Sequence, residues 1–166
     1  AFTSVDASFD QPGAALTVNV QGTYHVLEAV RQLAPAARVL VASSCEVYGG
    51  IKGGPAIIAQ VGAVQGKMWP MQPHSPYAAA KAGADALAQA YGTTYNLRVV
   101  ILRPCNVYGL RQKAGLGGAV IPTMTAAARA GGPIRITGDG LQRREFLHVS
   151  DLVRAYCAVL TSARSS

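Results

Sequence analysis

Nowhere does the chain reach the ~18 uninterrupted apolar residues that a membrane-spanning helix needs, and no basic segment followed by an apolar run opens it. A soluble, unsecreted, cytoplasmic protein with no membrane partner is therefore expected. Cysteine is scarce. Cys45, Cys105 and Cys157 form an odd, widely spaced set without CxxC or a histidine cluster, which argues against a disulfide framework, structural zinc or any other metal site. Charge is scarce too, at 14% of 166 residues, and acidic residues most of all: 8 against 15 Lys and Arg, for a net charge of +7. That balance suits an anionic partner, either nucleic acid or a phosphorylated small molecule. The basic residues are scattered, with Arg143 and Arg144 the only adjacent pair, and no basic stretch alternates with aromatics, so nucleic acid is set aside. Also missing is the GxGxxG or GxxGxxG turn that cradles a dinucleotide pyrophosphate. "GLGGAV" (115–120) has the wrong spacing and reads as a turn.

Half of the residues are hydrophobic, enough for one globular domain with a core. Pro12 can occupy the first turn of a helix whose apolar positions Leu16, Val20, Tyr24, Leu27 and Val30 recur at helical spacing through Ala34. "RVLVASS" (38–44) and "RVVILRP" (98–104) are short β-branched runs without alternation, as expected of strands buried on both faces of a parallel sheet. Between them, 49–74 reads as a Gly- and Pro-rich loop in which 56–64 could form a short helix. Ser75 as N-cap and Pro76 at the first helical position start a helix to about Tyr91. A helix over 120–130, strands at "IRIT" (134–137) and "EFLHV" (145–149), and a helix capped by Ser150 running to about Leu160 complete the order. The fold class is α/β, with a mostly parallel sheet.

Tyr77 and Lys81 stand four apart in the alanine-rich helix, so they project from one face. A phenol has a reference pKa of ~10, and a nearby ammonium favours its phenolate, so the pair can move a proton. YxxxK alone is a weak signal. Its context adds to it, because in open parallel sheets ligands bind beyond the carboxyl ends of strands. There the first strand delivers "SSCEVYG" (43–49), with Ser44 able to hydrogen-bond a substrate oxygen, and the second delivers "RPCNVYG", with Asn106. His148, in a predicted strand, reads as a packed histidine, while Cys105 reads as buried apolar filler.

The stretches "SVDASFDQP", "NVQGTYHVLEA", "SSCEVYG", "HSPYAAAK", "LRPCNVYG" and "GDGLQRREFLHVSDLVRA" span nearly the whole chain. In this order they resemble the extended short-chain dehydrogenase/reductase enzymes that act on nucleotide sugars. The resemblance implies a partial Rossmann-like, doubly wound sheet. Residues 1–112 would be the C-terminal part of the dinucleotide-binding domain, and 113–166 part of an interleaved substrate-binding region. It implies NAD or NADP as cofactor, a nucleoside-diphosphate sugar as substrate, and a homodimer. Tyr77 would be the catalytic base, Lys81 would bind the nicotinamide ribose and tune Tyr77, and Ser44 would orient the sugar. Ser43, Pro104 and Val107 would join Tyr77 and Lys81 at the cofactor, and Asn106 and Arg144 would contact the diphosphate, where a guanidinium fork suits phosphate oxygens. The implied reaction begins with oxidation at sugar C4.

Glu46 separates the branches. A carboxylate there can take the C5 proton and start loss of water from C6, which points to a 4,6-dehydratase. In the dTDP-glucose branch an Asp commonly precedes that Glu as general acid, whereas this chain has Cys45. A 4-epimerase, decarboxylase or 4-reductase of the same family stays open, as does a non-catalytic remnant that binds sugar nucleotides. The chain starts at Ala1 in patterned sequence without the glycine fingerprint, so a piece of a longer protein is expected.

Overall fold

The structure is a computed structural model that describes residues 1–49, 70–115, 118–136, 138–142 and 144–162. Most of the 49–74 loop, including the possible helix at 56–64, lies outside the described residues, as does Arg143.

Ser4 starts the first helix by accepting a hydrogen bond from the Ala7 amide, giving α1 (Val5–Asp10), which the sequence reading did not foresee. Pro12 sits at the first helical position of α2 (Pro12–Leu16), as expected. The single helix predicted to Ala34 is interrupted, however. A π-helical turn (Thr17–Gln21) separates α2 from α3 (Gly22–Leu33). Within it Asn19 is buried, accepting from the Phe2 amide and donating to the Phe2 carbonyl, both at 3.0 Å. Hydrophobic spacing carries no trace of that inserted residue, because each side of the turn keeps its own periodicity.

Strand β1 (Arg38–Ala42) leads through a 3-10 turn (Cys45–Tyr48) towards α4 (Pro76–Tyr95), which crosses over to β2 (Arg98–Leu102). β1 and β2 pair in parallel with a constant offset, Arg38 beside Arg98 through Ala42 beside Leu102. They are less buried than expected. Among the described residues β1 pairs with β2 alone, and only Val39 and Leu102 of the ten strand residues are buried. The core lies where the helices cover this pair: Leu27 of α3, Val39 of β1, Ala88 and Tyr91 of α4, and Leu97. α4 extends four residues beyond the expected end and stops at Asn96, whose left-handed backbone (φ 54°) Asn tolerates better than most residues.

The second half forms a separate two-stranded parallel sheet, β3 (Asn106–Tyr108) beside β4 (Phe146–His148), with α5 (Val120–Arg129) between them and α6 (Val149–Thr161) after. β3 is too short for a sequence pattern. The strand expected at "IRIT" does not form over 134–136: Pro133 lacks an amide proton, and Ile134 and Ile136 are exposed with no neighbouring strand among the described residues. Ser150 is not the cap of α6 either. His148 takes that place, its Nδ1 accepting from the Ser150 amide, while its ring packs edge-on to Tyr108.

Candidate functional site

Beyond β1 the chain turns sharply, and the turn aims its side chains. The Ser43 amide donates to the Leu102 carbonyl (2.8 Å) and the Cys45 amide to that of Pro104 (3.1 Å), so the strand register continues past the formal ends of β1 and β2. The Ser44 hydroxyl caps the 3-10 turn by accepting from the Glu46 amide at 3.2 Å. Gly49 closes it at φ 67°, where a Cβ would come within 2.0 Å of the Gln72 carbonyl oxygen, so no other residue fits.

α4 brings the second set. Ser75 caps it as expected, accepting from the Ala78 amide, and the next free amide, that of Tyr77, donates to the hydroxyl of Ser8 on α1 at 3.1 Å. Ser8 is fully buried and sixty-nine residues away, a contact no local pattern signals. Tyr77, Lys81 and Asp85 then form a buried stripe at successive turns.

The phenol of Tyr77 meets the hydroxyl of Ser44. Lys81 does something else than expected. Its ammonium donates to the Ala42 carbonyl at 2.8 Å, capping the end of β1. Burial pushes the Tyr77 phenol above its ordinary value, the Ser44 hydrogen bond opposes that rise, and the charge of Glu46 adds to it. Lys81 is not among the groups that shift it. Burial and the Glu46 charge thus outweigh the Ser44 hydrogen bond at the phenol, while the Lys81 ammonium is bonded to a backbone carbonyl. Burial likewise lowers the pKa of Lys81.

Beneath this pair Asp85 is fully buried and gripped by Arg103, Nε to Oδ2 at 2.8 Å and Nη2 to Oδ1 at 2.9 Å. Burial opposes the Asp85 charge, but Arg103, with Ser43 and Gln89, outweighs it and holds the carboxyl below its ordinary range. The guanidinium also lies 5.7 Å from the ring centre of Tyr48. Neither Asp85 nor Arg103 stood out in the sequence. The Ser43 hydroxyl, close to Asp85, is buried without a hydrogen-bond partner of good geometry.

The remaining expected residues gather elsewhere. Asn106, Val107 and Arg144 line one cavity of about 930 Å³ with Asp6, Arg135 and Gln142. The Asn106 amide donates to the Glu145 carbonyl at 3.0 Å, which fixes its side chain at the cavity wall. Tyr77, Lys81, Ser44 and Glu46 do not line it. Pro104 stays with the first group through its carbonyl bond to Cys45. Arg135 was missed because it lies in the segment read as a strand.

The profile of the "NAD dependent epimerase/dehydratase family" matches residues 1–166. The chain belongs to this epimerase/dehydratase family. Among its curated relatives, the dTDP-glucose 4,6-dehydratase of Xanthomonas campestris pv. campestris (strain B100) is 37% identical over 168 residues, covering 96% of this chain and 45% of that protein. The dTDP-D-glucose 4,6-dehydratase of Homo sapiens is 35% identical, covering 98% and 43%. Among solved members, the UDP-N-acetylglucosamine 4-epimerase of Methanobrevibacter ruminantium M1 superposes with a TM-score of 0.86 at 29% identity, covering 99% of this chain and 50% of that one. The dTDP-glucose 4,6-dehydratase DesIV of Streptomyces venezuelae, solved with NAD and TYD bound, gives 0.80 at 36% identity, covering 99% and 47%. This epimerase/dehydratase chain thus spans about half the length of the relatives it matches.

Proposed function

We propose that the chain carries the reaction centre of a NAD-dependent nucleotide-sugar 4,6-dehydratase, with Tyr77, Ser44 and Glu46 acting on the sugar. The observation that carries this is the meeting of the Tyr77 and Ser44 hydroxyls with Glu46 close enough for its charge to be felt at the phenol. When bound, NAD supplies a hydride acceptor. The residues fit it: the Lys81 ammonium, one helical turn from Tyr77 and held by a single carbonyl bond, is a donor suited to ribose hydroxyls. Moving the Lys81 ammonium off the Ala42 carbonyl and towards the phenol is what would bring the Tyr77 pKa down.

Ser44 holds the C4 hydroxyl while Tyr77 takes its proton. The resulting ketone acidifies C5, and Glu46 removes that proton and passes it to the departing C6 hydroxyl, which leaves as water. Asn106, Arg135 and Arg144 line the wall of a second chamber, where paired N–H donors suit a diphosphate. That chamber is built from both 106–112 and 115–146, in keeping with a boundary near residue 112 between a dinucleotide-binding part and an interleaved substrate-binding part. A cytoplasmic homodimer fits the exposed apolar residues Phe9, Leu16 and Val18 beside the alanine-rich α4.

The test is mass spectrometry of the full-length protein with a panel of nucleoside-diphosphate hexoses. Loss of one water supports dehydration, and an isomer of unchanged mass overturns it. Tyr77→Phe should abolish turnover; unchanged turnover would reject the centre itself. A 4-epimerase is the second reading, favoured by Cys45. Its thiol is held protonated by the hydrogen bond to Cys105 and by burial, which makes it a poor proton donor to a departing hydroxyl.

A further inference from the structure

Cys45 and Cys105 are opposed in space. The offset of β1 on β2 pairs Ala42 with Leu102, and the bonds from the Ser43 amide to Leu102 and from the Cys45 amide to Pro104 carry that offset onward, setting Cys45 across from Cys105. Directly opposed residues of neighbouring strands lie about 4.8 Å apart, inside the ~4.4–6.8 Å range of Cα separations that a disulfide spans. Side chains of opposed residues in a parallel pair leave on the same face, and here each thiol shifts the ionisation of the other. Cys105 is buried and Cys45 partly exposed, whereas Cys157 stands apart and exposed on α6.

We infer that Cys45 and Cys105 form a reversible disulfide, an oxidation site that straps the turn carrying Glu46 to the strand end carrying Asn106. The oxidant is a small peroxide that enters past Cys45. The Cys105 sulfur, as thiolate, attacks one peroxide oxygen. The O–O bond breaks, and the departing hydroxide combines with the proton shed by the thiol to give one water. The Cys45 sulfur then attacks the sulfenic sulfur of Cys105. The S–S bond forms, the S–O bond breaks, and the hydroxide leaves with the Cys45 proton as a second water. The two sulfurs together lose two electrons and the peroxide gains them. The hydrogen bond from Cys45 lowers the pKa of Cys105, which favours Cys105 as the attacking thiolate. A small thiol reverses the reaction by exchange.

The strap matters because Glu46 follows Cys45 directly and Asn106 follows Cys105. Pulling the two sulfurs to bonding distance shifts both neighbours, and displacements near 1 Å cost reactions roughly tenfold to a hundredfold.

The experiment treats the full-length protein, in a Cys157→Ser background, with hydrogen peroxide and maps peptides without reduction. The expected result is a Cys45–Cys105 cross-linked peptide that dithiothreitol removes, with turnover of whichever nucleotide sugar the protein accepts falling roughly tenfold and returning on reduction. Cys105→Ala should lose the cross-link and keep its turnover under peroxide. Sulfinic or sulfonic acid at either residue without a cross-link overturns the site, and a cross-link with undiminished turnover overturns its role as a switch. The peptide map needs no substrate, so it stands even if the dehydratase reading fails.

Discussion

Tyr77 is held as a neutral phenol by burial and by the charge of Glu46, and this sets its behaviour without nicotinamide. A raised pKa means the folded state keeps its proton longer than the unfolded chain. This group's contribution to stability is complete below the unfolded value of ~10 and is lost as pH rises through the higher folded value. Ultraviolet difference spectra between wild type and Tyr77→Phe should therefore show no phenolate below pH ~10. An ionisation near neutrality would mean that Lys81 governs the phenol after all. Lys81→Met should loosen the end of β1 by removing the bond to the exposed Ala42 carbonyl, at about 0.5–1.5 kcal/mol. Denaturant melts would show it as a lower midpoint with unchanged slope.

Between α4 and the end of β2 the ion pair of Asp85 and Arg103 decides how the buried stripe of Tyr77 and Lys81 is seated. Asp85 is wholly buried, so Asp85→Ala leaves a guanidinium without its partner and should cost about 3–5 kcal/mol. Its carboxyl titrates below the unfolded range, so the stabilisation is full above pH ~3.9 and fades as pH falls through the lower folded value. The gap between wild type and Asp85→Asn in urea midpoints should accordingly be wide at neutral pH and narrow in strong acid. Ser8→Ala, which unties the Tyr77 amide, should cost about 1 kcal/mol, the size of a lost helix cap. Local chemistry made part of this scale legible: Ser75 and Pro76 announce the start of α4, and the β-branched runs announce β1 and β2. Partners distant in sequence stayed hidden. Nothing near Asp85 points to Arg103, Ser8 carries no mark of Tyr77, and Lys81 was assigned to the phenol because spacing on a helix says nothing about a strand-end carbonyl nearby.

For the whole molecule, the alternation of the longer helices with β1 and β2 was legible because the helices carry a helical period and the strands are β-branched runs. The division into two small parallel sheets was not, since β3 has three residues and its partner β4 lies about forty residues on. The same limit explains why Asn106 and Arg144 could be grouped by resemblance while Arg135, at the same cavity wall, could not. One further contact joins the extremes of the fold. The Arg38 guanidinium, at the first residue of β1, reaches the carbonyls of Val159 (2.6 Å), Leu160 (3.2 Å) and Ser162 (2.7 Å) at the end of α6. Synthesis runs from the N-terminus, so this arginine leaves the ribosome long before its acceptors, which lie 121 to 124 residues downstream. A nascent chain stalled before residue 159 exposes β1 with its clasp unmade, and release of the last helical turn is the event that locks the sheet. The window for chaperone capture or degradation of β1 thereby lasts at least until those carbonyls have been made.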